Sequence, residues 1–79
     1  MDLEELIRRT QDRDEEAAGL LAAHWSPREV LRALQDARPI GLLPEVLFRV
    51  STPADIPVLV EGLTADAYDV RNACALALS

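Results

Sequence analysis

Apolar residues recur along this chain at the spacing of a helix, three or four positions apart. The first three such stripes are Leu3, Leu6 and Ile7; Leu20, Leu21 and Trp25; and Val30, Leu31 and Leu34. Each stripe gives its segment one apolar face, which is typical of a helix packed against a core. Ala and Leu are abundant, and the β-branched and aromatic residues that strands collect are few. The pattern therefore predicts an all-α fold without strands.

Capping residues and prolines indicate where the helices begin. At a helix N-terminus a side-chain oxygen accepts from the free backbone amides of the first turn, and an acid three residues on reaches back. Four pairs fit this rule: Asp12 with Glu15, Ser26 with Glu29, Thr52 with Asp55, and Asp66 with Asp69. The predicted helices cover about 2–10, 12–25, 27–37, 42–50, 53–63 and 66–79. The first two could instead form one long helix.

A shift of 26 residues places two similar segments over one another. Residues 26–37, SPREVLRALQDA, align with residues 52–63, TPADIPVLVEGL, at the cap, the proline and several core positions. Well-capped amphipathic helices could look alike by chance. A period in this range otherwise indicates stacked helical pairs, each too small to bury its apolar face alone. Because short connections force successive helices to pack as antiparallel neighbours, we expect helical hairpins.

The last 25 residues resemble a HEAT repeat of the short bacterial type. In this family the first helix carries an Ile-Pro-x-Leu-Ile-x-x-Leu pattern, and the second opens with Val-Arg and continues through alanines. The matching residues are Ile56, Pro57, Leu59, Val60 and Leu63, then Val70, Arg71, Ala73, Ala75, Ala77 and Leu78. The resemblance implies one HEAT-like domain of five to six short helices over residues 1–79. Its units would be an N-terminal helical cap at 1–25, a degenerate repeat at 26–50 and a HEAT-like repeat at 52–79.

Three positions depart from the family pattern. The family usually has an Asp six residues before the Arg of the second helix, to hydrogen-bond along the stack, but Ala65 stands there and the acid has moved to Asp66. Tyr68 replaces a common turn proline. Leu76 stands where the second helix normally exposes a charged residue.

The chain ends with apolar residues on more than one side of its last helix. On a helical wheel Val70, Ala73 and Cys74 share one face, while Leu76 and Leu78 point away from it on opposite sides. One flat neighbour cannot cover both leucines, and solenoids require terminal repeats with a polar outer face. Three explanations stay open: a homodimer through Leu76 and Leu78, which is the commonest kind of assembly, another protein docked there, or a longer solenoid whose next repeat is missing.

The net charge of the chain and the absence of a signal-peptide pattern indicate which partners and which cellular location to expect. Fourteen Asp and Glu oppose eight Arg, with no Lys, so the formal net charge is −6. Phosphate binding needs a basic patch, and these arginines are scattered among carboxylates, so we expect no nucleic-acid partner. The chain lacks the charged start and apolar core of a signal peptide, and no stretch approaches the roughly 20 apolar residues that span a bilayer. We expect a cytoplasmic protein without a membrane partner.

The sequence contains no recognisable catalytic or metal-binding motif. Cys74 is the only cysteine, which excludes a disulfide framework within the chain and a Cys-based metal cluster. It lies on an apolar helix face, which favours an inert packed thiol. No glycine-rich loop cradles phosphate, and a lone histidine, His24, makes no zinc site. We expect neither a metal nor a cofactor.

The preferred interpretation is a non-enzymatic scaffold or adaptor that forms a homodimer or holds a protein or peptide in a groove between helices. Five residues are candidates for partner contact: Trp25, Phe48, Arg49, Tyr68 and Arg71. Tyr and Arg are enriched among interface anchors, although Arg71 is structural in most HEAT-like repeats, where it braces adjacent loops.

An enzyme is the alternative. Some HEAT-like proteins, the phycobilin lyases among them, are enzymes or enzyme helpers, so the resemblance also implies a chain that positions a bound substrate. Under that hypothesis His24 is the acid or base and Glu29 tunes it.

Overall fold

The structure is a computed structural model that describes residues 2–79. Over this range the chain forms helices and turns, and it contains no strand. Six α-helices follow one another: α1 (Leu3–Gln11), α2 (Glu15–Ala22), α3 (Pro27–Asp36), α4 (Leu43–Val50), α5 (Ile56–Gly62) and α6 (Tyr68–Leu78), with a 3-10 turn at Pro53–Asp55 before α5. The predicted all-α class with five to six short helices is confirmed. Met1, the first residue of the predicted N-terminal unit, lies outside the described residues.

Consecutive helices pack in pairs, which gives three hairpins: α1 with α2, α3 with α4, and α5 with α6. The second helices join the hairpins, because α4 contacts both α2 and α6. Helix α4 therefore links all three parts of a molecule that measures 32 × 23 × 17 Å. The hairpins fall within the predicted units 1–25, 26–50 and 52–79, while their assignment to the HEAT family stays a prediction.

One apolar core connects the three hairpins. Its buried members are Leu6, Ala17, Ala18, Leu21, Val30, Leu34, Leu42, Leu43, Val46, Leu47, Leu59, Val70, Ala73 and Cys74. Leu3 and Leu20, which belong to the predicted stripes, lie on the surface instead. Thr10 is a buried polar residue, and its hydroxyl donates to the carbonyl oxygen of Leu6 at 2.7 Å. No buried side-chain polar atom of the described residues lacks a hydrogen-bond partner.

Two of the four predicted caps are confirmed. Ser26 and Glu29 form a capping box at the start of α3, in which the carboxylate of Glu29 accepts from the amide of Ser26 at 3.0 Å. Thr52 and Asp55 form a second box, and it opens the 3-10 turn rather than an α-helix. In both boxes a proline directly follows the capping residue, at the first position of the helix or turn. The local sequence is therefore enough to specify both caps.

The other two predicted caps are wrong. Asp12 ends α1, since its amide donates to the carbonyls of Arg8 and Arg9, and Asp14 is the N-cap of α2. The intervening Arg13 has a φ of +67°, which separates α1 and α2 into two helices. Asp66 does not cap α6: that helix begins at Tyr68, after Ala67, without a side-chain cap.

The turn between α3 and α4 is fixed against the end of α1. The amide of Leu42 donates to the carbonyl of Thr10 at 3.0 Å, and Gln11 Nε2 donates to the carbonyl of Pro39 at 3.0 Å. Gly41 has a φ of +53°, and a β-carbon on it would collide with the carbonyl oxygens of Thr10 and Gln11. Glycine is required here both by conformation and by space, and its turn ties the first hairpin to the second.

Candidate functional site

Five apolar side chains from α4, α6 and the segment of α5 with its C-cap Leu63 form a surface, here called the apolar face: Phe48, Ile56, Val60 and Leu63, which are exposed, and Leu78, which is half-buried. Phe48, Ile56 and Leu78 line one pocket of about 440 Å³. Val60 and Leu63 follow Ile56 by four and seven residues, so they continue the same side of α5. Phe48 is 58% exposed and Val60 50% exposed, which is high for large apolar side chains. The apolar face is therefore a continuous surface and not a set of isolated residues.

Helix α5 contributes most of this exposure because its apolar arc is wider than the side that packs against α6. Its inner side, with buried Leu59 and with Gly62, packs against α6. Its outer side carries Ile56, Val60 and Leu63, which are all exposed. Exposed apolar side chains that are grouped together mark surfaces that bind partners, so the outer side of α5 has the composition of an interface.

The pocket in the apolar face is uncharged, although the chain carries a formal net charge of −6. Eight residues line it: Phe48, Ser51, Thr52, Pro53, Ile56, Leu59, Ala77 and Leu78. Asp55, which adjoins Ile56 in sequence, turns its carboxylate to Thr52. There Oδ2 accepts from the amide at 2.9 Å and from the hydroxyl at 3.0 Å. The carboxylate is thus held by the local capping box.

The two C-terminal leucines, predicted as a dimer interface, lie on different sides of α6. Leu78 is half-buried, packs against the core and lines the pocket. Leu76 is 52% exposed and is not among the lining residues. The structure therefore brings Leu78 together with Phe48 and leaves Leu76 apart from both.

Arg71 braces the turn before its own helix. Its Nη1 donates to the carbonyl oxygens of Ala65 at 2.7 Å and Asp66 at 2.8 Å. Position 65 is where the family pattern has an Asp, and here the arginine bonds the main chain of that residue instead. The guanidinium also lies 5.8 Å from the ring centroid of Tyr68, whose side chain is two-thirds exposed. Tyr68 and Arg71 thus form a pair of their own.

The remaining predicted contact residues are separated from that pair. Trp25 is half-buried after the end of α2 and packs against the core. Arg49 is exposed on α4, with its Nη2 3.9 Å from Glu45 Oε1 and its Nη1 close to Gly19 of α2. Of the five predicted partner-binding residues, Phe48 lines the pocket and the other four do not.

His24 and Glu29, the residues of the enzyme hypothesis, are both exposed. No hydrogen bond or ion pair joins them in the described part of the chain, and the Glu29 carboxylate accepts from the Ser26 amide in its capping box.

Other chemical features of the chain also give the enzyme hypothesis no support. Burial raises the pKa of the Cys74 thiol, which keeps it protonated. Residues 2–79 hold no cluster of three or more metal-ligating side chains, and none of their helices has the length and apolarity needed to cross a bilayer. The enzyme hypothesis stays a prediction.

Sequence reasoning missed three members of the apolar face. Ile56, Val60 and Leu63 match the family pattern, and none of them was among the predicted partner-binding or dimer-interface residues. The signal that could have found them is the width of the apolar arc around Leu59: Ile56, Leu59 and Val60 spread over about 100° of a seven-residue helix, more than the contact with α6 covers.

No protein-family model, no curated protein and no solved structure matches this chain.

Proposed function

We propose that this chain is a small helical binding module that pairs with a second copy of itself through the apolar face. The observation that carries the proposal is an exposed apolar surface, with an uncharged pocket in it, on a strongly acidic chain. Association removes such surface from water, and the gain is about 25 cal/mol for each Å² buried. Since no charged residue lines the pocket, two acidic copies meet there without like charges in direct contact.

The apolar face has the parts that a twofold interface needs. In such a pair the same patch faces itself, so each copy supplies both an anchor and a pocket. Phe48 is the anchor, because it is large, aromatic and exposed. Ile56 and Leu78 line the pocket that receives the ring of the other copy. Ser51 and Thr52 supply a polar rim.

The size of the face suggests a reversible dimer. A standard interface buries roughly 800 Å² on each partner, which is about one sixth of the 4816 Å² surface of this chain. Five apolar side chains supply only the centre of such an area. We expect a dissociation constant of roughly micromolar order.

Self-pairing would also suit an adaptor, because a twofold pair presents two copies of every surface outside the apolar face. The cytoplasmic location expected from the sequence stays a prediction.

Light scattering across a dilution series tests the proposal with two variants. Phe48→Gln combined with Val60→Gln removes the centre of the face, and Leu76→Gln is the matched control on the other side of α6. These side chains are 58%, 50% and 52% exposed, so the substitutions leave the core intact. We expect the wild type and Leu76→Gln to approach twice the 8.7 kDa chain mass at high concentration. The double variant should stay at the mass of one chain.

Two results would count against the proposal. A wild-type chain that stays at 8.7 kDa up to millimolar concentration does not self-associate. If Leu76→Gln gives a monomer and the double variant still dimerises, the interface lies on the Leu76 side of α6. Circular dichroism on each variant confirms that it is folded.

A further inference from the structure

A groove of about 450 Å³ opens between α3 and the hairpin of α5 and α6. The α3 side carries Arg28, Arg32 and Gln35. Apolar surface comes from Leu31, Val58, Gly62, Ala65 and Val70, and Glu61 and Thr64 complete the lining. This arginine groove shares no lining residue with the pocket of the apolar face. Ligand binding in the arginine groove is therefore independent of self-pairing.

Arg28 and Arg32 differ from most arginines of this chain because their guanidinium groups make no hydrogen bond or ion pair with other described residues. Five other arginines are engaged: Arg8 with Glu5, Arg9 with Asp14, Arg38 with Asp69, Arg49 with Glu45, and Arg71 with two carbonyls. In a chain with 14 acidic residues, two unpaired arginines on one groove leave it able to accept a negatively charged ligand.

The spacing of the two arginines indicates the shape of that ligand. They are four residues apart on α3, which separates them by about 6 Å along the helix axis. In an extended peptide, alternate side chains point the same way and are about 6.6 Å apart. Two carboxylates at alternate positions of an extended segment therefore match the spacing of the two arginines along α3, and each guanidinium group can bind a carboxylate through two parallel hydrogen bonds.

The rest of the lining restricts how such a segment lies. Glu61 repels carboxylates from the α5 side, so the acidic residues face α3. The hydroxyl of Thr64 already donates to the carbonyl of Glu61 at 2.9 Å, which leaves its oxygen as an acceptor for a peptide amide. The apolar surface around Val58 and Val70 accommodates an apolar side chain between or beside the acids.

We propose that the arginine groove binds an extended segment of a partner protein with two carboxylates at alternate positions beside an apolar residue, as in Glu-Leu-Glu. Charge-assisted hydrogen bonds give the recognition its strength, and the open groove makes it sensitive to salt.

The test is an NMR titration of the labelled protein with the acetylated and amidated peptide Leu-Glu-Leu-Glu-Leu. The first variant is Arg28→Gln with Arg32→Gln. The matched control is Arg8→Gln with Arg13→Gln, which lowers the net charge by the same two units on surfaces outside the groove. We expect the wild type and the control to bind equally and the groove variant to bind about tenfold more weakly. The peptide Leu-Gln-Leu-Gln-Leu should bind the wild type about tenfold more weakly than the acidic peptide.

Three outcomes would overturn the proposal. The groove variant could bind the acidic peptide as well as the wild type does. The control could lose as much affinity as the groove variant, which would indicate only a general effect of net charge. The wild type could show no shifts at millimolar peptide. None of these outcomes alters the chain mass by which self-pairing is judged.

Discussion

The carboxylate of Asp14 accepts hydrogen bonds from both α1 and α2. Its Oδ1 accepts from the amide of Ala17 at 3.1 Å and so caps α2. Its Oδ2 accepts from Arg9 Nε at 2.9 Å and Nη2 at 2.7 Å, which fixes α1 to the start of α2. The Ala17 amide first, and then Arg9, lower the pKa of Asp14 below its ordinary value of 3.8. The carboxylate must be ionised to make these contacts at full strength.

The stability supplied by Asp14 depends on pH in a predictable direction. Because the pKa of Asp14 is lower in the folded state than in the unfolded chain, its contribution is fully present above about pH 4 and is lost as the pH falls through the folded-state value. Asp14→Asn keeps a capping oxygen and loses the ion pair with Arg9. We expect the variant to melt below the wild type at pH 7 and the gap to narrow towards pH 2, as measured by circular dichroism.

Asp12→Asn is the control for this experiment, because Asp12 is an exposed neighbour outside the cap. Its melting temperature should differ little from that of the wild type at any pH. A gap between Asp14→Asn and the wild type that is the same at pH 7 and pH 2 contradicts an ionised Asp14 as the source of the effect.

At the scale of elements, α5 and α6 approach closely because a glycine faces a cysteine. A β-carbon on Gly62 would collide with the sulfur of Cys74 and lie 3.4 Å from its β-carbon. Cys74 is fully buried, and Leu59 and Val70 pack in the same core. The cysteine therefore acts here as a small apolar residue whose size sets the distance between the two helices.

Gly62→Ala tests this contact. Alanine favours a helix by about 1 kcal/mol over glycine, but overpacking a core costs about 1–3 kcal/mol, so we expect a net loss of stability in urea unfolding. In the background of Cys74→Ala, where the sulfur is absent, Gly62→Ala should cost at least about 1 kcal/mol less than in the wild type. Equal costs in the two backgrounds would show that the sulfur does not limit the approach of the helices.

Helix boundaries could be predicted from the sequence where one local rule decides them. Ser26 with Glu29 is such a case, because the cap, the acid and the following proline all lie within four residues. Asp12 and Asp14 are two candidate caps two residues apart, and the choice between them depends on the ion pair of Asp14 with Arg9. Arg9 and Asp14 meet only in the folded chain, because the backbone turns between them at Arg13.

The candidate surfaces were predictable only in part, since they depend on how the hairpins meet. Exposure of an apolar residue on α6 could be predicted from a helical wheel, and Leu76 is exposed. The apolar face and the arginine groove could not, because each combines residues from two or more helices. Arg28 and Arg32 follow each other at helical spacing, but their lack of partners is a property of the folded chain.

At the scale of the whole molecule, the two ends of the stack of hairpins differ in chemistry. Helix α1, at one end, exposes charged residues such as Glu4 and Arg8, whereas α5, at the other end, exposes Ile56, Val60 and Leu63. The outer surface of α1 is mixed, with exposed Leu3 beside these charges, whereas that of α5 is more apolar. A second copy placed against the apolar face would cover this surface on both chains.

The most direct test of self-pairing is a dilution series followed by amide NMR shifts of the wild-type protein. We predict concentration-dependent shifts confined to the apolar face, at Phe48, Ile56, Val60, Leu63 and Leu78, with a midpoint of roughly micromolar order. Asn72 and Leu76, which are exposed on α6 outside the pocket, should not shift. Spectra that do not change with concentration, or changes that cluster at Asn72 and Leu76, would contradict the account.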